Sequence, residues 1–126
     1  MSPIHSYRDL IAWQKAVDFA VDVYSVTRTF PRSEIYGLSS QLQRAAVSIA
    51  SNIAEGHSRS TSTYLYHLGV SDGSLREAET DLIIANRVGL SKSETHVALL
   101  KQADEIGRLL YRLSTSVERS RRSRRP

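Results

Sequence analysis

The four histidines, His5, His57, His67 and His96, are the side chains best suited to proton transfer or metal binding near neutral pH, and they are scattered along the chain. No H-E-x-x-H pair occurs. The E-x-x-H spacing that builds di-iron sites in helical bundles is missing as well. His67 beside Tyr64 and Tyr66 has the chemistry of a general base, but a half-exposed histidine on a helix is the commoner meaning of such a residue. Glu77 and Glu79 suggest paired carboxylates, yet two residues apart on a helix they point to different faces. There is no G-x-x-x-x-G-K-[ST] phosphate loop, and no G-x-S-x-G nucleophile elbow is expected. Without cysteine there is no thiolate ligand, no thiol nucleophile and no disulfide. The expectation is a protein without a catalytic residue, a bound metal or a cofactor.

Two other patterns stand out. The chain has 17 Lys and Arg against 13 Asp and Glu, and its last nine residues, ERSRRSRRP, hold five of the arginines and one glutamate. Residues 1–117 therefore carry 12 positive and 12 negative charges, a net of zero. Arg119, Arg121, Arg122, Arg124 and Arg125 form a block expected to be a disordered tail over 118–126, suited to phosphate through its forked donors. The second pattern is QLQRAAVSIASNIAEG, from Gln41 to Gly56. Leu42, Ala45, Ala46, Ile49 and Ile53 recur at helical spacing. Opposite them Gln41, Arg44, Ser48, Ser51, Asn52 and Glu55 make a stripe of mostly short polar groups. A solvated face usually carries longer charged side chains, so this stripe is expected to touch protein.

The elements that must position these residues are four helices. The first is predicted from an Asp9 N-cap to about Thr29, burying Leu10, Trp13, Val17, Ala20 and Tyr24, and Phe30-Pro31 ends it. The second starts near Ser33 or Glu34 and closes at a left-handed Gly56, with Leu38, Leu42, Ala45, Ile49 and Ile53 inward. The third runs from about Thr63 to Val88 on Tyr64, Leu68, Ser71, Leu75, Ala78, Leu82 and Ala85, and Gly89-Leu90 reads as a Schellman ending. Ser91 to Glu94 fits a capping box for the fourth, whose inner stripe is Leu99, Ala103, Ile106, Leu110, Leu113 and Val117. Short connections between amphipathic helices predict an antiparallel up-down four-helix bundle over 1–117. No apolar run approaches the roughly 18 residues of a membrane span, and the first residues lack the pattern of a signal peptide, so a soluble cytoplasmic protein is expected.

In the hairpin of the second and third helices, residues equidistant from a turn near 58–60 face one another. Arg44 then reaches Glu77 or Asp72, Ser48 lies near Ser71, and Asn52 lies near Tyr66 and His67. Gly69 and Gly73 each cost a helix about 1 kcal/mol relative to alanine, and close packing of two backbones is the expected return. A tight hairpin whose polar groups satisfy one another accounts for the stripe, and a subunit interface on the same seam is compatible with it.

The segments YRDLIAWQKAVDFAVDVY, FPRSEIYGLSSQLQRAAVSIASNIAEG and DGSLREAETDL resemble the small bacterial four-helix-bundle family named for reading frames within 23S rRNA intervening sequences. The family is itself similar to the accessory variability determinant of diversity-generating retroelements. The resemblance rests on Gln41, Arg44, Ala45, Ser48, Asn52, Ile53, Glu55 and Gly56, and on Gly73-Ser74 followed by Glu77. Ala50 stands where many relatives carry proline, and the arginine block is not a family feature. Ribonuclease bundles of toxin systems are similar in outline but place Arg and His four to six residues apart. Here Arg59 and His67 have seven residues between them, and Arg87 and His96 have eight. The resemblance implies a ring-like homopentamer with RNA or DNA, or a protein such as a reverse transcriptase, as partner. The expected function is a non-catalytic, oligomeric nucleic-acid-associated accessory protein. The alternative is a protein-interaction scaffold without direct nucleic-acid binding, favoured by the neutral body.

Overall fold

The computed structural model describes residues 6–123. Four helices make up most of it, with no strand among the described residues: α1, Ile11–Thr27; α2, Leu38–His57; α3, Thr61–Arg87; and α4, Ser93–Ser123. α1 packs against α2 and α4, and α3 packs against the same two, with α2 and α3 the most extensive pairing. Phe19, Leu42, Ile49, Ile53, Leu68, Leu75, Leu82 and Ile106 fill the centre and are fully buried. Each such side chain contributes about 1.5–3 kcal/mol by leaving water. No helix among the described residues is long and apolar enough to cross a membrane.

α3 buries the seven residues its spacing predicts, together with Asp81. Gly89 has φ of 84°. Leu90 N–H donates to the Ala85 carbonyl at 2.8 Å and Gly89 N–H to Asn86 at 3.1 Å, which is the predicted Schellman ending. α1 departs from expectation. Asp9 is not its N-cap but closes a separate 3-10 turn, Tyr7–Asp9, in which Ser6 Oγ accepts from Arg8 N–H and the Asp9 carboxylate accepts from Ser6 N–H. Leu10 is buried as predicted, but the buried row of α1 that follows is Ala12, Ala16, Phe19, Val23 and Thr27 rather than the rest of the predicted one. Apolar residues cover more than half of this helix, so spacing alone admitted two solutions, and the one with small Ala12 and Ala16 inward lets it approach its neighbours. Trp13, Val17 and Ala20 flank the core, and Tyr24 is exposed.

α2 begins at Leu38, later than predicted, after a second 3-10 turn, Arg32–Glu34. Its N-cap is Gly37, which has no side chain to offer, and the Glu34 carboxylate accepts from Leu38 N–H at 3.3 Å in its place. Gly56 does not end α2 in the left-handed region; it lies within the helix, buried. α4 begins at Ser93, so the Ser91 capping box does not form, and Ser91 Oγ is buried without a partner. At its other end α4 continues through Ser123, so residues 118–123, expected as a disordered tail, are helical. Arginine is a good helix former, and cations are favoured at the negative end of the helix dipole. Arg124 and Arg125 lie outside the described residues.

Candidate functional site

The short polar groups of α2 meet short polar groups of α3 and satisfy one another. Ser74 Oγ donates to Ser48 Oγ at 2.7 Å. Asn52 Nδ2 donates to the same hydroxyl at 3.0 Å and to the Ser48 carbonyl at 2.9 Å. Asn52 Oδ1 then accepts from His67 Nδ1 at 2.9 Å. Deeper in, the fully buried Ser71 donates to the Ile49 carbonyl at 2.8 Å. Asn52 and His67 meet as the register predicts. Ser48 meets Ser74, about one turn from the expected Ser71, because Ser71 is used by the α2 backbone.

Glycine permits the close approach, but not at the positions predicted. A Cβ on Gly56 would lie 2.7 Å from His67 Cβ and 3.1 Å from Tyr64, so α2 and α3 touch there because no side chain intervenes. The Tyr64 hydroxyl is buried without a partner and is pushed up to about 12 by that burial. Gly69 and Gly73 are exposed, and a Cβ on either would meet nothing within 4 Å. They do not serve the α2–α3 contact, since they lie around the helix from the Ser71–Ser74 face. Contrary to the expectation that no such motif occurs, Gly69 to Gly73 spells G-x-S-x-G. Its Ser71 lies mid-helix, buried and hydrogen-bonded, not on a strand-to-helix turn.

The remaining members of the stripe point to solvent. Gln41, Arg44, Glu55 and Glu77 are exposed. Arg44 donates only a long 3.4 Å bond to Ser40 within its own helix, and the predicted pairing with Glu77 or Asp72 does not form. Arg44 is rotated outward from the Ala45–Ser48 face, and Asp72 is taken by Arg76 at 3.2 Å on the α4 side. One acid is missing from the sequence reading. Asp81, one turn after Glu77, is only 5% exposed, and its Oδ2 has no hydrogen-bond partner. Burial first, and the Glu77 charge second, raise its pKa above the ordinary value. The signal was available: Ser74, Ala78, Asp81 and Ala85 repeat at 4, 3 and 4, the row that faces α2.

The second polar region is the C-terminal half of α4. Arg119 is exposed, and Arg121 and Arg122 both lean on Glu118, at 2.8 Å and 3.5 Å. The Arg121 hydrogen bond holds the Glu118 carboxyl below its ordinary value against an opposing effect of burial, and the two arginine charges add to it. Earlier on the helix Arg108 pairs with Asp104 at 3.1 Å, and Tyr111 stands out, 74% exposed. Gly107 lets the Arg76 side chain of α3 lie across α4, since a Cβ there would sit 3.2 Å from Nη2. Sequence reading missed Arg108, Tyr111 and Arg112 because it set the charge boundary at 117. Among the described residues no three histidine, aspartate or glutamate side chains gather closely enough to hold a metal ion.

Comparison with known proteins places the chain beside a family and a solved structure. The family model of the 23S rRNA-intervening sequence protein matches residues 8–112. A solved structure from Bacteroides thetaiotaomicron, of a protein with unknown function from the S23 ribosomal protein family, superposes with a TM-score of 0.77 at 22% identity. The alignment covers 82% of this chain and 98% of that one, and shows a shared fold. No curated protein matches the chain.

Proposed function

The chain belongs to the family of 23S rRNA-intervening sequence proteins, and we propose that it acts there as a non-catalytic, oligomeric, nucleic-acid-associated accessory protein. The observation that carries this reading is the separation of charge: no net charge over residues 1–117, and five arginines against one glutamate in the last nine. Three of those arginines, Arg119, Arg121 and Arg122, ride on the last turns of α4. Guanidinium forks suit phosphate, and the contact supplies affinity with little sequence preference. The proposal places the protein in the cytoplasm, with RNA or DNA as partner and a reverse transcriptase as the protein that would share it.

Assembly completes the proposal. The four helices are taken as an up-down antiparallel bundle, and five copies as a ring that multiplies a weak electrostatic contact by avidity. Support comes from Gly69 and Gly73, whose cost to α3 has no return in contacts among the described residues. Light scattering tests the ring, and a monomer mass defeats it. Fluorescence anisotropy on a structured RNA and a matched DNA duplex tests the binding. With Arg119, Arg121, Arg122, Arg124 and Arg125 all changed to glutamine, the salt slope should fall by about 3.5 on single strands and about 4.5 on duplex DNA. An unchanged slope would remove the last nine residues from the interface. The scaffold reading rests on the neutral body, and a protein partner retained after nuclease digestion would favour it.

A further inference from the structure

Helical geometry in α4 joins residues that the sequence separates. Arg108, Tyr111, Arg112, Thr115, Arg119 and Arg122 are spaced 3, 1, 3, 4 and 3, and so share one stripe. From Arg108 to Arg122 the stripe is about 21 Å long. That segment, residues 108–122, holds five arginines and one glutamate, a net of +4. Extending it through Arg125 leaves residues 1–107 with 10 positive and 12 negative charges, a net of −2. The basic region therefore begins at Arg108, inside the bundle.

Its carboxylates engage only part of it. Arg108 shares Asp104 in an exposed ion pair, a kind worth little in water. Arg122 shares Glu118 with Arg121. Arg112 and Arg119 make no hydrogen bond or ion pair with any described residue, and both are exposed. Beside Arg112 stands Tyr111, one wall of two adjoining surface depressions. The first is lined by Arg76, Asp104, Gly107, Arg108 and Arg112. The second is lined by Leu65, Ser114, Thr115, Glu118, Arg119 and Arg122. The tyrosine ring thus has guanidinium groups on both sides and open space along it.

Resting on the nucleic-acid reading above, we propose that this stripe is a track for single-stranded nucleic acid, with Tyr111 as a stacking platform and Arg108, Arg112, Arg119 and Arg122 as phosphate holders. The charge fits a polyanion. The aromatic group selects the form: an unpaired base can lie on an exposed ring, whereas a duplex keeps its bases stacked on one another. At about 3.4 Å per stacked nucleotide, the track takes roughly six nucleotides. A second copy of the same face does not fit, because like charges would meet.

The test uses the full chain and a labelled uridylate oligomer of about twelve nucleotides, within the range that such surfaces occupy, with a duplex and a polyglutamate peptide as competitors. Tyr111 is exposed, so Tyr111→Ala should leave the melting temperature unchanged. It should weaken single-strand binding roughly tenfold, Tyr111→Phe should restore it, and duplex binding should hardly move. Changing Arg112 and Arg119 together to glutamine should lower the single-strand salt slope by about 1.4. If the protein binds the oligomer and Tyr111→Ala binds it equally well, the track is wrong and the nucleic-acid reading survives. If polyglutamate displaces the oligomer as efficiently as unlabelled oligomer does, the surface is a general polyanion site and the proposal fails. If the protein binds no nucleic acid, both readings fall together.

Discussion

The α2–α3 seam and the outer stripe of α4 are both polar helix faces, and they use opposite chemistry. The seam is built from Ser48, Asn52, Ser71 and Ser74, short groups with little rotamer freedom to lose, each with a partner within 3.0 Å. The stripe is built from long arginines around an exposed tyrosine, and two of those arginines have no partner among the described residues. Short polar groups that satisfy one another hold two helices together. Long charged groups left unsatisfied are available to something else. Side-chain length and partner count, not polarity, separate the two faces.

The sharpest way to break the comparison is at Gly56. Gly56→Ala places a Cβ 2.7 Å from His67 Cβ, an atom fixed to its own backbone. Overpacking of this kind costs about 1–3 kcal/mol, set against about 1 kcal/mol gained from helix propensity. A fall in melting temperature is expected, and an unchanged one would show that the helices separate freely. Asn52→Ala comes next, because it strips the partner from His67 and removes one of the two donors to the Ser48 hydroxyl. The expected loss is about 1–2 kcal/mol by urea denaturation, and a neutral result would make the seam ornamental.

Asp81 gives a smaller effect of opposite sign. Its folded-state pKa is raised, so the folded protein holds the proton more tightly than the unfolded chain does. Its charge therefore costs stability at neutral pH, and that cost disappears as pH falls below the ordinary value of 3.8. Asp81→Asn should stabilise the protein at pH 7 and lose its advantage over the wild type near pH 3, measured by thermal melts. On the α4 stripe the comparison predicts almost nothing for stability. Arg112→Gln, and Arg44→Ala on the outer face of α2, should each stay within about 0.5 kcal/mol of the wild type. A larger loss at Arg44 would revive the buried pair that the structure replaces with solvent.

How far the chain could be read in advance depended on how many solutions each pattern allowed. α3 has one apolar row and one left-handed glycine at its end, so its core and its terminus were both legible. α1 has apolar residues over most of its circumference, and only packing against α2 and α4 selects the row with Ala12 and Ala16. The Asn52–His67 contact followed from counting outward from the turn. Arg44 was placed at the right level and given the wrong direction, since a long side chain one step around the helix reaches water before it reaches Glu77. Gly56 looked like a helix ending because glycine has two uses, and the pattern does not distinguish a turn from a contact. The α4 stripe stayed hidden for a different reason: charge was summed along the chain, while the helix sums it around an axis.

The length of α4 has a consequence for its dynamics. Its last fully buried side chain is Leu110, and Leu113 and Val117 are only partly covered. The remaining turns have little apolar burial to resist opening, and Arg119, Arg121 and Arg122 repel one another there. Amide protons along α4 should therefore exchange in a gradient, slowest near Ile106 and fastest toward Ser123. A bound polyanion would remove the repulsion and slow exchange at that end first. Order would spread along the helix from the ligand, and its entropic cost would be drawn from the affinity.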